Sequence, residues 1–370
     1  METKIGFKLT IAAVLVVVSA IPASFSSNLF AQGPVTLNGA GATFPFPLID
    51  TWRVEYQTVD PSTNINYQSI GSGGGVKQFI ENTVDFGATD APLTPEEAQK
   101  APGAVHIPET IGSVVPAYNI PEVPDSGLKF TGPVLADIFL GKITKWNDPR
   151  LVELNPEANL PDENIIVVHR SDGSGSTFVW TDYLTSISPD WAQQVGKGKS
   201  VQWPTGIGAP GNEGVANAIK GSPYTLGYVE LAYALTTGMP VGSVQNQAGN
   251  FVAPTLDSTK AAIAASAPKL PAGDGSWSNV TTVNAPGADS FPIASFSYLL
   301  VDKDLSANPS MTEQKAKALV DFIDWAVKDG QQFASDLGYV PLPGNVVKLN
   351  EETLGSITFN GNPILNSTAG

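Results

Sequence analysis

Short apolar runs alternate along this chain with amphipathic stretches, and small polar residues sit at the joins. Residues 64–70 (NINYQSI) predict a strand. A glycine turn at 71–75 follows, then a helix through 76–83. Residues 84–89 predict another strand, closed by Asp90-Ala91-Pro92. The next helix starts at Thr94, which can cap it; Pro95 suits the first turn and Glu97 completes a capping box. Residues 112–120 predict a strand, 135–140 a short helix stopped by Gly141, and 164–169 a buried strand. A helix at 212–220 stopped by Gly221 and a strand at 225–231 come next. Late in the chain, 293–301 predicts a strongly apolar strand. Ser310 and Glu313 read as a second capping box. Ala316, Leu319, Val320, Ile323, Ala326 and Val327 then form one helical face, ended by Gly330. Such alternation implies an α/β fold with largely parallel sheets. Residues 236–290, rich in Gly, Pro, Ala, Ser and Asn, give few periodic signals.

Length and charge narrow the picture. At 370 residues the chain suits two domains of ordinary size. A net charge of −15 argues against nucleic acid, which selects basic patches. With no cysteine, disulfides, thiolate metal sites, a cysteine nucleophile and a lipid-modified N-terminal cysteine are all excluded. Two scattered histidines make a zinc site a poor fit, and no metal or cofactor is expected. The first 31 residues read as an export signal. Lys4 and Lys8 precede an apolar run at 9–21, broken by Pro22, which is short for a membrane span. Cleavage after Ala31 fits, as does a site nearer Ala23; an uncleaved anchor is the alternative. Either way the body is expected outside the cytoplasm. Asn279 and Asn366 begin glycosylation sequons, triplets that also occur by chance.

In α/β sheets, ligands bind where strands end and helices begin. Four such corners here are built from small polar residues: 39–45 (GAGATFP), the glycine run, Ala88-Thr89-Asp90, and 170–176 (RSDGSGS). Helix N-termini offer free backbone N–H groups and a positive dipole end, glycine allows close approach, and serine and threonine add hydroxyl donors. Arg170 adds a planar fork that matches a tetrahedral oxyanion. The plainer reading is tight turns with Arg170 on the surface. Asp172 either holds the Arg170 guanidinium or is a turn residue. Asp90 either closes a strand or accepts a hydrogen bond from an anion that carries a proton. Hydrogen phosphate does so at neutral pH and sulfate does not, so a carboxylate there discriminates between them. Other motifs fail on spacing. Gly198-Lys199-Ser200 has Gln193 where a phosphate loop needs glycine. Gly71 and Gly73 are followed by Val76. Ser174 has Asp172 where a nucleophile elbow needs glycine. His169, beside Arg170, is expected on the opposite sheet face in a structural role.

Several long segments, in order, resemble the phosphate-binding proteins of ABC-type phosphate uptake systems. They are LNGAGATFPFPLIDTW, NYQSIGSGGGVKQFIENTVDFGATDAP, VVHRSDGSGSTFVWTDYL, GNEGVANAIKG with LGYVE, and FPIASFSYLLV; LGKITKWNDP and WPTGIGAPGN are similar too. The resemblance implies a two-lobed periplasmic-binding-protein fold of type II. Two α/β sandwich domains would be joined by two crossover strands, with the ligand in the cleft. The first lobe is expected at 35–118 plus 291–370 and the second at 119–290. Carried over by position, the phosphate-binding residues would be Thr43 and the Phe44 backbone, Ser72, Asp90, Arg170, Ser174, Gly175 and Ser176, with Asp172 supporting Arg170. Ser176 stands where threonine is usual and Gly73 where serine is common. The implied partners are inorganic phosphate and the transporter's membrane subunits, and a monomer that closes by hinge motion is expected. Alternatives are another oxyanion such as sulfate, arsenate or molybdate, an exported phosphoester hydrolase, and a surface structural protein.

Overall fold

The computed structural model describes residues 33–264 and 269–365. In chain order the first elements are β1 (Val35–Gly41), α1 (Phe46–Val59), β2 (Thr63–Ser69), α2 (Ser72–Ile80), β3 (Phe86–Thr89), α3 (Pro95–Lys100) and β4 (Ala104–Asn119). Next come β5 (Lys129–Phe130), α4 (Gly132–Phe139), α5 (Pro149–Leu154), β6 (Ile166–Arg170), α6 (Gly175–Ile187), α7 (Pro189–Gln194), β7 (Ile207–Ala209), α8 (Gly211–Gly221), β8 (Thr225–Glu230) and α9 (Leu231–Thr237). The chain then passes through β9 (Ser243–Gln245), β10 (Phe251–Val252), α10 (Leu256–Ala264), β11 (Ala294–Asp302), α11 (Glu313–Val327) and α12 (Gly344–Gly355). The export-signal segment and Asn366 lie outside the described residues; Asn279 is exposed.

Eight strands form one sheet in the order β2-β1-β3-β11-β4-β8-β6-β7. β4 is shared between its two sides. Ala104 to Ser113 pair antiparallel with β11, and Val114 to Asn119 pair antiparallel with β8. The outer strands on each side run parallel, as βαβ crossovers require. The sheet is therefore mixed, where the sequence pattern implied largely parallel pairing. The antiparallel pairs arise at β4 and β11, the strands that run through the middle. Fourteen of the 16 residues of β4 are buried, consistent with its central place.

Helices cover both faces. α1 buries Leu48, Ile49, Trp52 and Tyr56 on one stripe, and the Trp52 indole donates to the Gly330 carbonyl at 2.8 Å. The predicted α11 face is buried in full. On the β8 side, Phe139, Trp180, Trp203 and Tyr228 cluster with ring centroids 5.2–6.0 Å apart, large apolar burial with favourable ring geometry. The loop-rich 236–290 region contributes α10 and the small sheet β10-β9-β5, and sends Trp277 against His106 at 5.5 Å.

Three local expectations change. α11 is capped by Thr312, whose side chain accepts from the Lys315 amide, while Ser310 bonds the Asn308 side chain. Either hydroxyl could cap; the one adjacent to Glu313 does. Gly330 falls in a short 3-10 turn after the helix has ended at Val327. The glycine run also belongs to α2 rather than to a turn, because the helix packs where only glycine fits. A Cβ at Gly75 would lie 2.3 Å from the Gly41 Cα.

Candidate functional site

The four corners meet beside the centre of the sheet, and each is formed by a strand handing over to a helix. β1 leads through Ala42-Thr43-Phe44 into α1, and β2 through Gly71 into α2. β3 ends in Thr89-Asp90, and β6 ends in Arg170 before α6. Gly71 needs its freedom: its φ is +84°, and a Cβ there would meet the Asp172 carboxylate at 2.3 Å.

Arg170 is 3% exposed, and its guanidinium is fixed along one edge by two bonds. Nε donates to Asp172 Oδ1 at 2.8 Å and Nη2 to Oδ2 at 2.5 Å. Burial works against the Asp172 charge. The hydrogen bonds and charge of Arg170, with the Gly211 amide, outweigh it and hold that carboxyl below the usual range. The third nitrogen, Nη1, donates to Thr43 Oγ1 at 3.1 Å. The same oxygen accepts from the Asn212 backbone at 3.1 Å and from Asn212 Nδ2 at 2.8 Å. Three donors thus point at one oxygen, the arrangement a tetrahedral anion needs. Asn212 Nδ2 also reaches Ser176 Oγ at 3.2 Å.

The other wall is built around Ser72. Its Oγ accepts from the Asp90 amide at 3.2 Å and the Gly175 amide at 3.1 Å, and donates to Asp90 Oδ2 at 3.4 Å. Gly175 begins α6, so its amide lies at the positive end of that helix. No other residue fits there, since a Cβ would lie 2.3 Å from Asp90 Oδ2. Ser174 is the cap of α6, its Oγ accepting from the Thr177 amide at 3.0 Å. Phe44 is buried beside Thr43, and its carbonyl accepts from the Tyr339 hydroxyl at 2.6 Å.

Asp90 is 2% exposed. Burial pushes its carboxyl up to about 7, although Ser297, Arg170 and Ser72 pull the other way. The nine residues singled out from the sequence therefore lie together: a guanidinium with its buttress, hydroxyls, amides, and one carboxylate acceptor. His169 stacks on Trp203 at 4.7 Å, away from this group, as its position beside Arg170 implied. Among the described residues no group of three or more His, Asp or Glu side chains is arranged to hold a metal.

Sequence reasoning did not single out Asn212, Ser297 or Glu109. Asn212 was findable, because it lies in the first turn of α8, directly after Gly211, at a fifth corner of the same kind. Glu109 left a weaker trace, a lone acid within an apolar run, and Ser297 left none.

Comparison with known proteins shows the family. A family model described as the PBP superfamily domain matches residues 30–329. The phosphate-binding protein PstS of Haemophilus influenzae is 48% identical over 318 residues, 86% of this chain and 92% of that protein. Its counterpart in Pasteurella multocida is 46% identical over 324 residues, covering 88% and 91%. This chain belongs to the PstS family of phosphate-binding proteins. The phosphate-binding protein PstS of Methanocaldococcus jannaschii is 39% identical over 345 residues, covering 90% and 88%. Two solved structures share the two-lobed fold. The phosphate-binding protein of Stenotrophomonas maltophilia gives a TM-score of 0.64 at 21% identity, covering 85% of this chain and 92% of that one. A high-affinity periplasmic phosphate-binding protein solved with phosphate at pH 8.5 gives 0.66 at 19% identity, covering 90% and 100%.

In this PstS-family chain the walls of the site are also tied directly. The Gly73 amide donates to the Gly173 carbonyl at 2.8 Å, and Lys199 Nζ contacts both Glu97 oxygens at 2.6 and 2.7 Å. The Tyr233 hydroxyl donates to the Thr43 carbonyl at 2.5 Å.

Proposed function

We propose that this chain captures inorganic phosphate outside the cytoplasm and delivers it to the membrane subunits of an ABC-type phosphate transporter. The observation that carries this reading is the convergence of the Arg170 fork, the Thr43, Ser72 and Ser176 hydroxyls and the Gly175 amide on one buried place with a single acceptor, Asp90. The ligand groups are Thr43, the Phe44 backbone, Ser72, Asp90, Arg170, Ser174, Gly175 and Ser176, with Asp172 supporting Arg170 and Asn212 added as a further donor. The names of the relatives support the ligand and the transporter. The basic-then-apolar N-terminus supports export, and the protein acts as a monomer.

The lobes are 35–118 plus 291–370 and 119–290. They close about the strands that cross between them, the Lys199–Glu97 pair and the Gly73–Gly173 contact forming as they meet. A micromolar site needs about 8 kcal/mol of net binding free energy. Hydrogen bonds to a charged ligand contribute roughly 1.5–3 kcal/mol each before association costs, so the donors of two walls suffice. Asp90 opposes an anion without a proton and so disfavours sulfate.

Calorimetry with phosphate and sulfate side by side tests the reading. Tight phosphate binding with no measurable sulfate binding is expected. Equal binding of both would overturn the role given to Asp90, and binding of neither the function itself.

A further inference from the structure

The site has a second buried acid that no ligand group accounts for. Glu109 is fully buried on β4, and β4 carries a bulge at that point: Thr110 pairs with Ser297 and Pro108 with Tyr298, which leaves Glu109 as the extra residue. A bulge re-aims the side chain it inserts. This one is held open by side chains of two other segments, since Asn350 donates to the Pro108 carbonyl at 2.7 Å and Gln331 to the Glu109 carbonyl at 2.9 Å. The result is that Glu109 Oε1 lies 2.9 Å from Ser297 Oγ, which lies 2.9 Å from Asp90 Oδ1.

A serine hydroxyl has one proton, so it cannot donate to two carboxylates. With both contacts at hydrogen-bond distance, one carboxyl must itself donate to Ser297. The surroundings decide which. Asp90 has the Ser72 hydroxyl on its other oxygen and feels the Arg170 charge. Glu109 Oε2 has no partner, and no cation faces it.

We propose that Glu109 holds the proton of this pair and, through Ser297, keeps Asp90 an ionised acceptor, making Glu109 a positioning residue for selection of a protonated anion. The order of donation is Glu109 to Ser297 to Asp90 Oδ1, which leaves Asp90 Oδ2 to receive the proton of the ligand. The proposal rests on the phosphate reading above and adds the source of its selectivity.

The groups around the pair do not supply the proton. Tyr67 on β2, Tyr298 on β11, and Tyr233 and Tyr339 nearby are raised by burial and stay neutral. Glu230 on β8 is raised by burial and holds a proton of its own, but its carboxyl accepts from the Ala232 amide rather than touching Ser297, and Arg170 is paired with Asp172. Burial, with the Asp90 charge added, pushes Glu109 up to about 8. Ionising it would place a second negative charge beside the bound anion.

The test reads the Kd for inorganic phosphate between about pH 8.5 and about pH 10, where the ligand is almost wholly the dianion and changes little. Wild type is expected to lose affinity by up to about tenfold per pH unit, the limit for one linked proton. Glu109→Gln donates permanently from its amide, and its Kd is expected to stay within about twofold over the same range. An equal alkaline loss in the variant would put the proton elsewhere and overturn the proposal. A second measurement needs no variant. Calorimetry of wild type near pH 8.5 in buffers of different ionisation enthalpy should show proton uptake with phosphate; none would overturn it as well. If wild type bound no phosphate at neutral pH, the functional reading would fail instead.

Discussion

Arg170 illustrates how one side chain is prepared for its task. Asp172 occupies the Nε–Nη2 edge of the guanidinium, so the charge stays in place and Nη1 is turned to Thr43. Losing that donor and the charge behind it should weaken phosphate binding by at least about a hundredfold in Arg170→Ala, at roughly 1.5–3 kcal/mol per charged hydrogen bond. Asp90→Asn should instead narrow the gap between phosphate and sulfate, by about tenfold or more, because like-charge repulsion is gone. Calorimetry on both variants checks these outcomes, and normal phosphate binding by Arg170→Ala would remove it from the site. His106 sets a different property. Its Nε2 accepts from the Leu93 amide at 3.1 Å, and burial, with Lys199 adding repulsion, lowers its pKa to about 4. The unfolded imidazole takes a proton near 6.5 and the folded one does not. Stability therefore falls as pH drops from about 6.5 to about 4, on the order of 3 kcal/mol in all. Urea unfolding across that range should show a shallower decline for His106→Gln than for wild type.

At the scale of elements, the proposed closure would make the contacts of α2 and α3 with the loops before α6 and after α7. A Cβ at Gly73 would lie 2.9 Å from the Gly173 Cα, so Gly73→Ala should lower phosphate affinity while leaving the unfolding temperature of the ligand-free protein near that of wild type. Lys199→Met removes a partly buried ion pair worth about 1 kcal/mol, and phosphate should leave about fivefold faster in stopped flow. An unchanged release rate would mean that this pair persists when the site opens. These elements also mark how far sequence reading reached. The α3 capping box was legible because Thr94, Pro95 and Glu97 act within one turn. The α11 face was legible because its periodicity is local too, and β6 was placed to within two residues, but it is not the buried strand expected, since Ile166 at its start is exposed. The glycines inside α2 were misread as a turn, since what selects them is backbone from β1 and from across the site. The bulge that aims Glu109 depends on the register of β4 against β11, nearly two hundred positions away in the chain. No local pattern records such a register.

For the molecule as a whole, the net charge of −15 repels a phosphate dianion at long range, and in the proposed site short-range dipoles would hold it once it arrives. Raising ionic strength from about 0.01 M to about 0.15 M shortens the screening length from about 30 Å to about 8 Å. The association rate measured by stopped flow should therefore rise with salt, opposite to an electrostatically steered receptor. The two sides of the sheet share the single strand β4, paired to β11 on either side of the bulge at Glu109 and then to β8. Such a strand can bend but has no slack. From Glu109 to the changeover at Val114 an extended chain spans about 17 Å, short enough to behave as a stiff leaf spring. Release of cargo would then end with elastic recoil to one resting geometry, with no loop to search for its place, and should follow a single exponential.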